Sequence, residues 1–139
     1  MKTRILILGA GFGGLELSTS LSEALGDSID VTLIDKSDGF IFGFAKLDLM
    51  FGRGTESEVR HPYADYAKPG VRLLRETVTE IDPEARRVTT DKGVHDADIL
   101  VVALGADYDV SGTPGVILGK NEFYSVAGAA HLAGVLPGK

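Results

Sequence analysis

Three glycines and one aspartate have the types and spacing needed to hold a nucleoside diphosphate. Gly9, Gly11 and Gly14 satisfy G-x-G-x-x-G directly after the apolar run Arg4-Ile5-Leu6-Ile7-Leu8. In that pattern the first glycine permits a tight strand-to-helix turn, the second lets backbone approach a pyrophosphate, and the third lets the helix pack on the strand. The helix that follows aims its N-terminus, with about half a unit of positive charge, at the phosphates. A second run, Asp30-Val31-Thr32-Leu33-Ile34-Asp35, ends in an acid about 20 residues past the last glycine, where a carboxylate can accept both ribose hydroxyls. Gly14-Leu15-Glu16 lacks the Gly-Lys-Ser/Thr of a P-loop, so no lysine reaches a phosphate there. A signal peptide is also disfavoured: Lys2 and Arg4 precede the apolar stretch, but Glu16 follows without a small-residue cleavage site. A glycine-rich turn that binds nothing would cost about 0.5 to 1 kcal/mol for each glycine inside an element, with no return.

These residues must be positioned by a βαβ unit. The pattern predicts a strand over Arg4–Leu8, a helix from Phe12 to Leu25 and a strand over Val31–Asp35, with a right-handed crossover and parallel pairing. Leu15, Leu17, Leu21, Ala24 and Leu25 supply the apolar helix face, and Gly26 sits where a C-cap belongs. Phe40, Phe42 and Phe44 alternate through a glycine-rich segment, either an edge strand or a loop lining a site, with core packing the favoured task of the rings. Short helices are expected around Ala45–Phe51 and Pro62–Tyr66. From Val71 the pattern turns to strand at 71–75, 78–81 and 87–90, with turns at Pro83–Arg86 and Asp91–Gly93, which reads as a small antiparallel meander. Asp96-Ala97-Asp98 leads into Ile99–Ala103, continuously apolar like a central strand of a parallel sheet covered on both faces. Gly112, Pro114, Gly115 and Gly119 have linker composition. A last helix, Val126 to about Leu136 with Ser125 as N-cap, is expected to stop at Pro137-Gly138-Lys139. The fold class is α/β, a Rossmann-like dinucleotide-binding domain with a parallel sheet and a small antiparallel meander, which the resemblance given below makes an FAD/NAD(P)-binding domain.

Composition narrows the function. The 139 residues suit one domain, and a net charge of −6 argues against nucleic-acid binding, whose affinity comes mainly from lysine and arginine on phosphates. The run Ile99–Gly105, between Asp98 and Asp107, is far short of the roughly 20 residues a membrane span requires. The sequence contains no cysteine, which removes disulfides, thiolate metal sites and dithiol redox centres from these residues and agrees with a reducing cytoplasm. His61, His95 and His131 lack metal-ligand spacing and are expected to be surface or helix-face residues. Glu56, Glu58, Asp82 and Glu84 read as a solvated face. No acid, base or nucleophile can be assigned a catalytic role, since there is no G-x-S-x-G elbow, histidine dyad or framed carboxylate pair.

The order of these features, with Asp98-Ile99-Leu100-Val101-Val102-Ala103-Leu104-Gly105-Ala106, resembles the N-terminal FAD-binding region of the pyridine nucleotide-disulfide oxidoreductase-like flavoproteins. Within them it most resembles the branch of sulfide:quinone oxidoreductases, flavocytochrome c sulfide dehydrogenases and type II NADH dehydrogenases. Asn121–Ala129 is similar to the helix preceding their NAD(P)H-like domain. The resemblance implies that Gly9, Gly11 and Gly14 cradle the FAD pyrophosphate and that Asp35 holds the adenosine ribose. It implies that the Val78 backbone meets adenine, and that Ala103 and Gly105 form the small-residue turn near the cofactor. Leu104 stands where the family has threonine, so a threonine contact is not available. Lys46 falls in the segment that approaches the flavin, but Gly43-Phe44-Ala45-Lys46 lacks the family's proline-containing pattern, and a surface lysine is expected. Sulfide-oxidising members use cysteines beside the flavin, and this chain has none.

The resemblance further implies residues 1–119 as the N-terminal part of an FAD-binding domain and 120–139 as a linker helix leading to an NAD(P)H-like domain outside this chain. On that reading the chain is a truncated portion that binds FAD weakly, lacks quinone or disulfide reductase activity and exposes an apolar patch where the remainder docks. The implied activity is FAD-dependent electron transfer from NAD(P)H or sulfide to a quinone-type acceptor, in the cytoplasm or peripherally at a membrane. The alternatives are a non-catalytic dinucleotide-binding fragment and an NAD-binding Rossmann dehydrogenase. The antiparallel meander favours FAD over the latter, because a simple dehydrogenase continues with further βα units.

Overall fold

Strand β1 (Thr3–Leu8) is apolar on successive residues, and Ile5, Leu6, Ile7 and Leu8 are all buried, the last two completely. Such a strand needs cover on both faces. The computed structural model, which describes residues 1–115 and 121–136, supplies it. Helix α1 (Phe12–Leu25) carries the chain to β2 (Ile29–Asp35), which pairs parallel with β1 in the register Ile5↔Val31, Ile7↔Leu33. Because side chains alternate across a strand, Ile5, Ile7, Val31 and Leu33 face one core with Leu15, Leu17 and Leu21 of α1 packed on it. Leu6, Leu8 and Ile34 face the other core, closed by Val88 and Ala97.

Leu15, Leu17 and Leu21 of α1 are only half-buried, and Ala24 and Leu25, expected on the same apolar face, are exposed. Its fully buried line is Gly14, Ser18 and Ser22, one residue per turn, so small side chains bring the helix close to the sheet. Ser18 Oγ donates to the Leu15 carbonyl at 2.9 Å and Ser22 Oγ to the Pro69 carbonyl at 2.6 Å, which leaves neither hydroxyl unpaired in the interior.

Among the described residues the parallel sheet has, in order, β5 (Val71–Arg75), β2, β1 and β9 (Ile99–Val102). The short strands β3 (Gly39–Ile41) and β4 (Arg60–Pro62) form a separate two-stranded ribbon. Strand β5 (Val71–Arg75) had been expected within the meander, but it pairs parallel with β2, Leu33 opposite Leu73. Its alternation specifies two faces and not a neighbour, and the chain returns in the parallel sense. The meander is instead β6 (Val78–Asp82), β7 (Arg87–Thr90) and β8 (Val94–Asp96). Strand β9 (Ile99–Val102) was expected at the centre of the sheet. It pairs only with β1 among the described residues, and Ile99 and Val102 are 47% and 58% exposed. An apolar run specifies covered faces and says nothing of how many strands flank it. Arg4 and Asp98 pin the start of β9 to β1 through a backbone N–H and a guanidinium bond, each 2.9 Å, which hold the Asp98 carboxyl down at about 2.

Two compact units make up the chain, one of residues 1–40 and 62–105 and the other of residues 41–61 and 106–139. The second contains α2 (Ala45–Met50), α3 (Glu56–Val59) and α4 (Val126–Val135). Thr55 and Glu58 form a capping box at the start of α3, an element the sequence reading omitted. Pro62–Tyr66 is a 3-10 turn over Tyr63–Tyr66. Gly119 and the expected helix stop at Pro137-Gly138-Lys139 lie outside the described residues.

Candidate dinucleotide-binding site

Every residue expected at the site falls in the first unit. Gly9 ends β1 with φ +96°, a left-handed value that favours glycine, and its N–H donates to the Ile34 carbonyl at 2.8 Å. A Cβ here would overlap the Ala103 carbonyl, and one on Gly14 would overlap the Gly9 carbonyl. The chain itself therefore requires both glycines.

Gly11 differs. Its φ of −72° suits any residue, and a Cβ built on it meets nothing within 4 Å. It is the N-cap of the 14-residue helix α1, with no side-chain cap and no acid in the first turn. The first helical bond runs from Leu15 N–H to the Gly11 carbonyl at 3.0 Å, so the N–H groups of Gly13 and Gly14 precede the ladder. The result is open space at the positive end of a helix, which fits a diphosphate.

Asp35 ends β2 beside this loop. Its Oδ2 accepts the Ala10 N–H at 2.8 Å and its Oδ1 the Ser37 N–H at 2.7 Å, while the Glu76 N–H donates to its carbonyl at 3.0 Å. An ionised carboxylate offers about four acceptor positions, so two are left after these amide bonds. Neither amide contact was foreseen; Asp-x-Ser offered only the general signal of a side chain bonding backbone two residues on.

The remaining expected residues are distributed around this pair. Ala103 donates its N–H to the Leu8 carbonyl at 2.8 Å and lies against Gly9. Gly105 follows with φ +75° in open surroundings. Val78 opens β6 in the meander layer, half-buried on the Leu8, Ile34 and Val88 core and opposite Thr90. The structure thus groups Gly9, Gly14 and Ala103 by direct packing and Asp35 by hydrogen bond, with Val78 on the neighbouring layer.

A polar cluster that sequence reasoning missed lies where β5 turns into β6. Glu76 Oε2 accepts Thr90 Oγ1 at 2.7 Å and contacts His95 Nε2 at 2.7 Å. The Thr90 hydroxyl first, and His95 after it, hold the Glu76 carboxyl below the usual range. His95 is therefore a partly buried strand residue and not the surface residue expected. His61 meets the Phe42 ring edge-on at 5.5 Å, and His131 is exposed on α4. Glu56, Glu58, Asp82 and Glu84 are exposed as read, though Glu58 closes the α3 capping box and Asp82 accepts the Ala85 N–H at 2.9 Å.

Two expectations in the 40–46 segment need correction. Phe40 packs with Phe12, Tyr63 and Tyr66, whereas Phe42 and Phe44 are 45% and 88% exposed, so only the first ring does core work. Lys46 is half-buried: its Nζ donates to the Tyr124 carbonyl and lies 4.5 Å from that ring's centroid. A polar cleft of about 250 Å³ opens at the opposite, N-terminal ends of β1 and β2. Its charged side chains are ion-paired, Arg4 with Asp98 at 2.9 Å, Asp96 with Arg87 at 2.7 Å and Arg72 with Asp30 at 3.9 Å, and Arg72 also donates to Thr32 Oγ1 at 2.9 Å.

A family described as pyridine nucleotide-disulphide oxidoreductase matches residues 3–134. The chain belongs to this family. Among curated relatives of this family member, the type II NADH:quinone oxidoreductase of Staphylococcus epidermidis is 36% identical over 117 residues, 83% of this chain and 29% of the relative. That of Staphylococcus aureus is 32% identical over the same shares. The chain thus spans less than a third of the length of these relatives. Its fold is similar to part of the sulfide:quinone oxidoreductase from Aquifex aeolicus, with a TM-score of 0.83 at 23% identity over 95% of this chain and 31% of that one. The NDH2 of Plasmodium falciparum superposes with a TM-score of 0.79 at 20% identity, over 96% of this chain and 28% of that one. Among the described residues no helix is long and apolar enough to cross a membrane, and no group of side chains could hold a metal ion.

Proposed function

We infer that this chain supplies the ADP-holding part of an FAD site in a quinone-linked flavin oxidoreductase. The carrying observation is Gly11, a glycine that the fold does not need, facing open space at the α1 N-terminus beside an amide-anchored Asp35. Gly11, Gly13 and Gly14 backbone would hold the diphosphate, Asp35 the ribose, and the Val78 backbone the adenine, with Ala103 and Gly105 giving close approach. Bound flavin supplies the two-electron chemistry, while this chain's residues bind and orient it. The β6-β7-β8 meander supports FAD over NAD at this site. Residues 1–119 then form part of the FAD domain, and 120–139 lead toward an NAD(P)H-like domain. Between donors, the names of the Staphylococcus relatives put NADH ahead of sulfide.

Calorimetry with ADP and FAD, and the absorbance spectrum of the purified protein, test the reading. ADP and FAD should bind to the wild type, and Gly11→Val should abolish binding while leaving the melting temperature nearly unchanged, because the added side chain enters the proposed ligand space from a Cβ that meets no protein atom within 4 Å. Normal FAD affinity in a folded Gly11→Val variant would remove the loop from the diphosphate site.

A further inference from the structure

We propose that the Asp35 carboxylate is a latch that couples the ribose subsite to the phosphate loop, so that it governs diphosphate affinity even for a nucleotide with no ribose hydroxyls. The proposal rests on the reading of this loop as a dinucleotide site. Two bonds stitch the loop to the end of β2. One is backbone, from Gly9 N–H to the Ile34 carbonyl at 2.8 Å; the other is the 2.8 Å bond from Ala10 N–H to Asp35 Oδ2. Ala10 lies between the left-handed Gly9 and the unencumbered Gly11, so its peptide sets the direction in which the loop leaves the sheet. No side chain on Gly9 or Gly11 can brace that direction. A charge-assisted bond to a carboxylate 25 residues away does so.

The second oxygen is held as well. Ser37 N–H fixes Oδ1 at 2.7 Å, and the Asp35 carbonyl is tied to Glu76 N–H at 3.0 Å, so the side chain is clamped on both oxygens and its backbone on the facing strand. A carboxylate clamped in this way presents its two remaining acceptor positions in fixed directions. Ribose hydroxyls that use them bind the same group that orients the loop, and the two subsites are linked through one side chain. A residue that only contacted ribose would need no bond to the loop.

The roles separate with ADP and 2′,3′-dideoxy-ADP. Asp35→Ala should weaken ADP by about a hundredfold and dideoxy-ADP, which has no hydroxyl to lose, still by about tenfold, one lost hydrogen bond to a charged group being worth about 1.5–3 kcal/mol. Asp35→Asn, which keeps one acceptor oxygen but turns a donor toward one of the two amides, should also weaken dideoxy-ADP. It serves if the alanine variant is too unstable to assay. In the absence of nucleotide, amide exchange at Ala10 should accelerate at least about tenfold in Asp35→Ala, while Ile7 and Val31 in the core keep their protection. Equal dideoxy-ADP affinity in wild type and variants would overturn the coupling, as would unchanged Ala10 exchange. Failure of the wild type to bind ADP or FAD would overturn the dinucleotide reading instead, and Ala10 exchange would still decide the latch.

Discussion

The starts of α1 and α4 both carry glycine, yet their N-terminal charge is used differently. At α4, Ser125 is the N-cap, its Oγ accepts the Gly128 N–H at 2.9 Å, and the Glu122 carboxylate bonds both the Ser125 N–H and its hydroxyl. The helix end is capped and neutralised from within, and a Cβ on Gly128 would strike Glu122. At α1 the cap is Gly11, no side chain or acid covers the end, and the space beyond is open. A glycine set by internal packing is thus distinguishable from one set by something outside the chain. The same comparison supports placing the proposed diphosphate site at the first helix: of these two helix ends, it is the one left for an anion.

Making α1 resemble α4 should have the largest effect. Gly11→Asp installs a side-chain cap and a negative charge at the helix start, so the fold should be stabilised by a few tenths of a kcal/mol, while ADP affinity falls by a hundredfold or more. Thermal melts and calorimetry on the same preparation would show whether the two move in opposite directions; a joint loss would mean the loop needs glycine for folding.

An intermediate effect is expected from crowding the other helix. Gly128→Ala should destabilise by about 1–3 kcal/mol through overlap with Glu122, and denaturant unfolding followed by circular dichroism would read it. ADP binding, where the protein is folded, should not change. A neutral substitution would show that Glu122 can move aside and that the two helix starts differ less than their glycines indicate.

The smallest effect concerns pH. The Ser125 hydroxyl and N–H hold the Glu122 carboxyl below its ordinary value. Its contribution to stability is therefore present above the usual glutamate range and is lost as pH falls through the depressed folded-state value. Melting temperatures measured from neutral pH down to about 3 should fall less steeply in Glu122→Gln than in the wild type, and parallel curves would remove Glu122 from the cap.

Much of this was legible from local pattern. The βαβ unit, its glycine loop, the terminal Asp35 and the Ser125 cap each depend on residues a few positions apart, or on a strand and helix joined by a short turn. The partner of Val71–Arg75 was not legible, because alternation fixes which side chains share a face and not which strand lies alongside. Likewise Ile99–Val102 reads as buried from its apolarity, yet its two ends are exposed and it has one neighbour among the described residues. Glu76 comes from the β5–β6 connection, Thr90 from the end of β7 and His95 from the middle of β8, and nothing in their spacing announces that one carboxylate takes both partners.

The sequence by itself determined the glycine loop and the acid that ends β2, since backbone sterics and strand and helix periods act over short stretches that can be read directly. Tertiary structure decided what each loop residue is for. Gly9, Gly11 and Gly14 are the same letter in the chain; only the approach of Ala103, and of the loop's own carbonyl to α1, shows that two are needed for packing and that the third leaves room for a ligand. The Asp35 carboxylate likewise has its two amide partners because the β1–β2 register brings the loop alongside the end of β2, a long-range choice that no local spacing records.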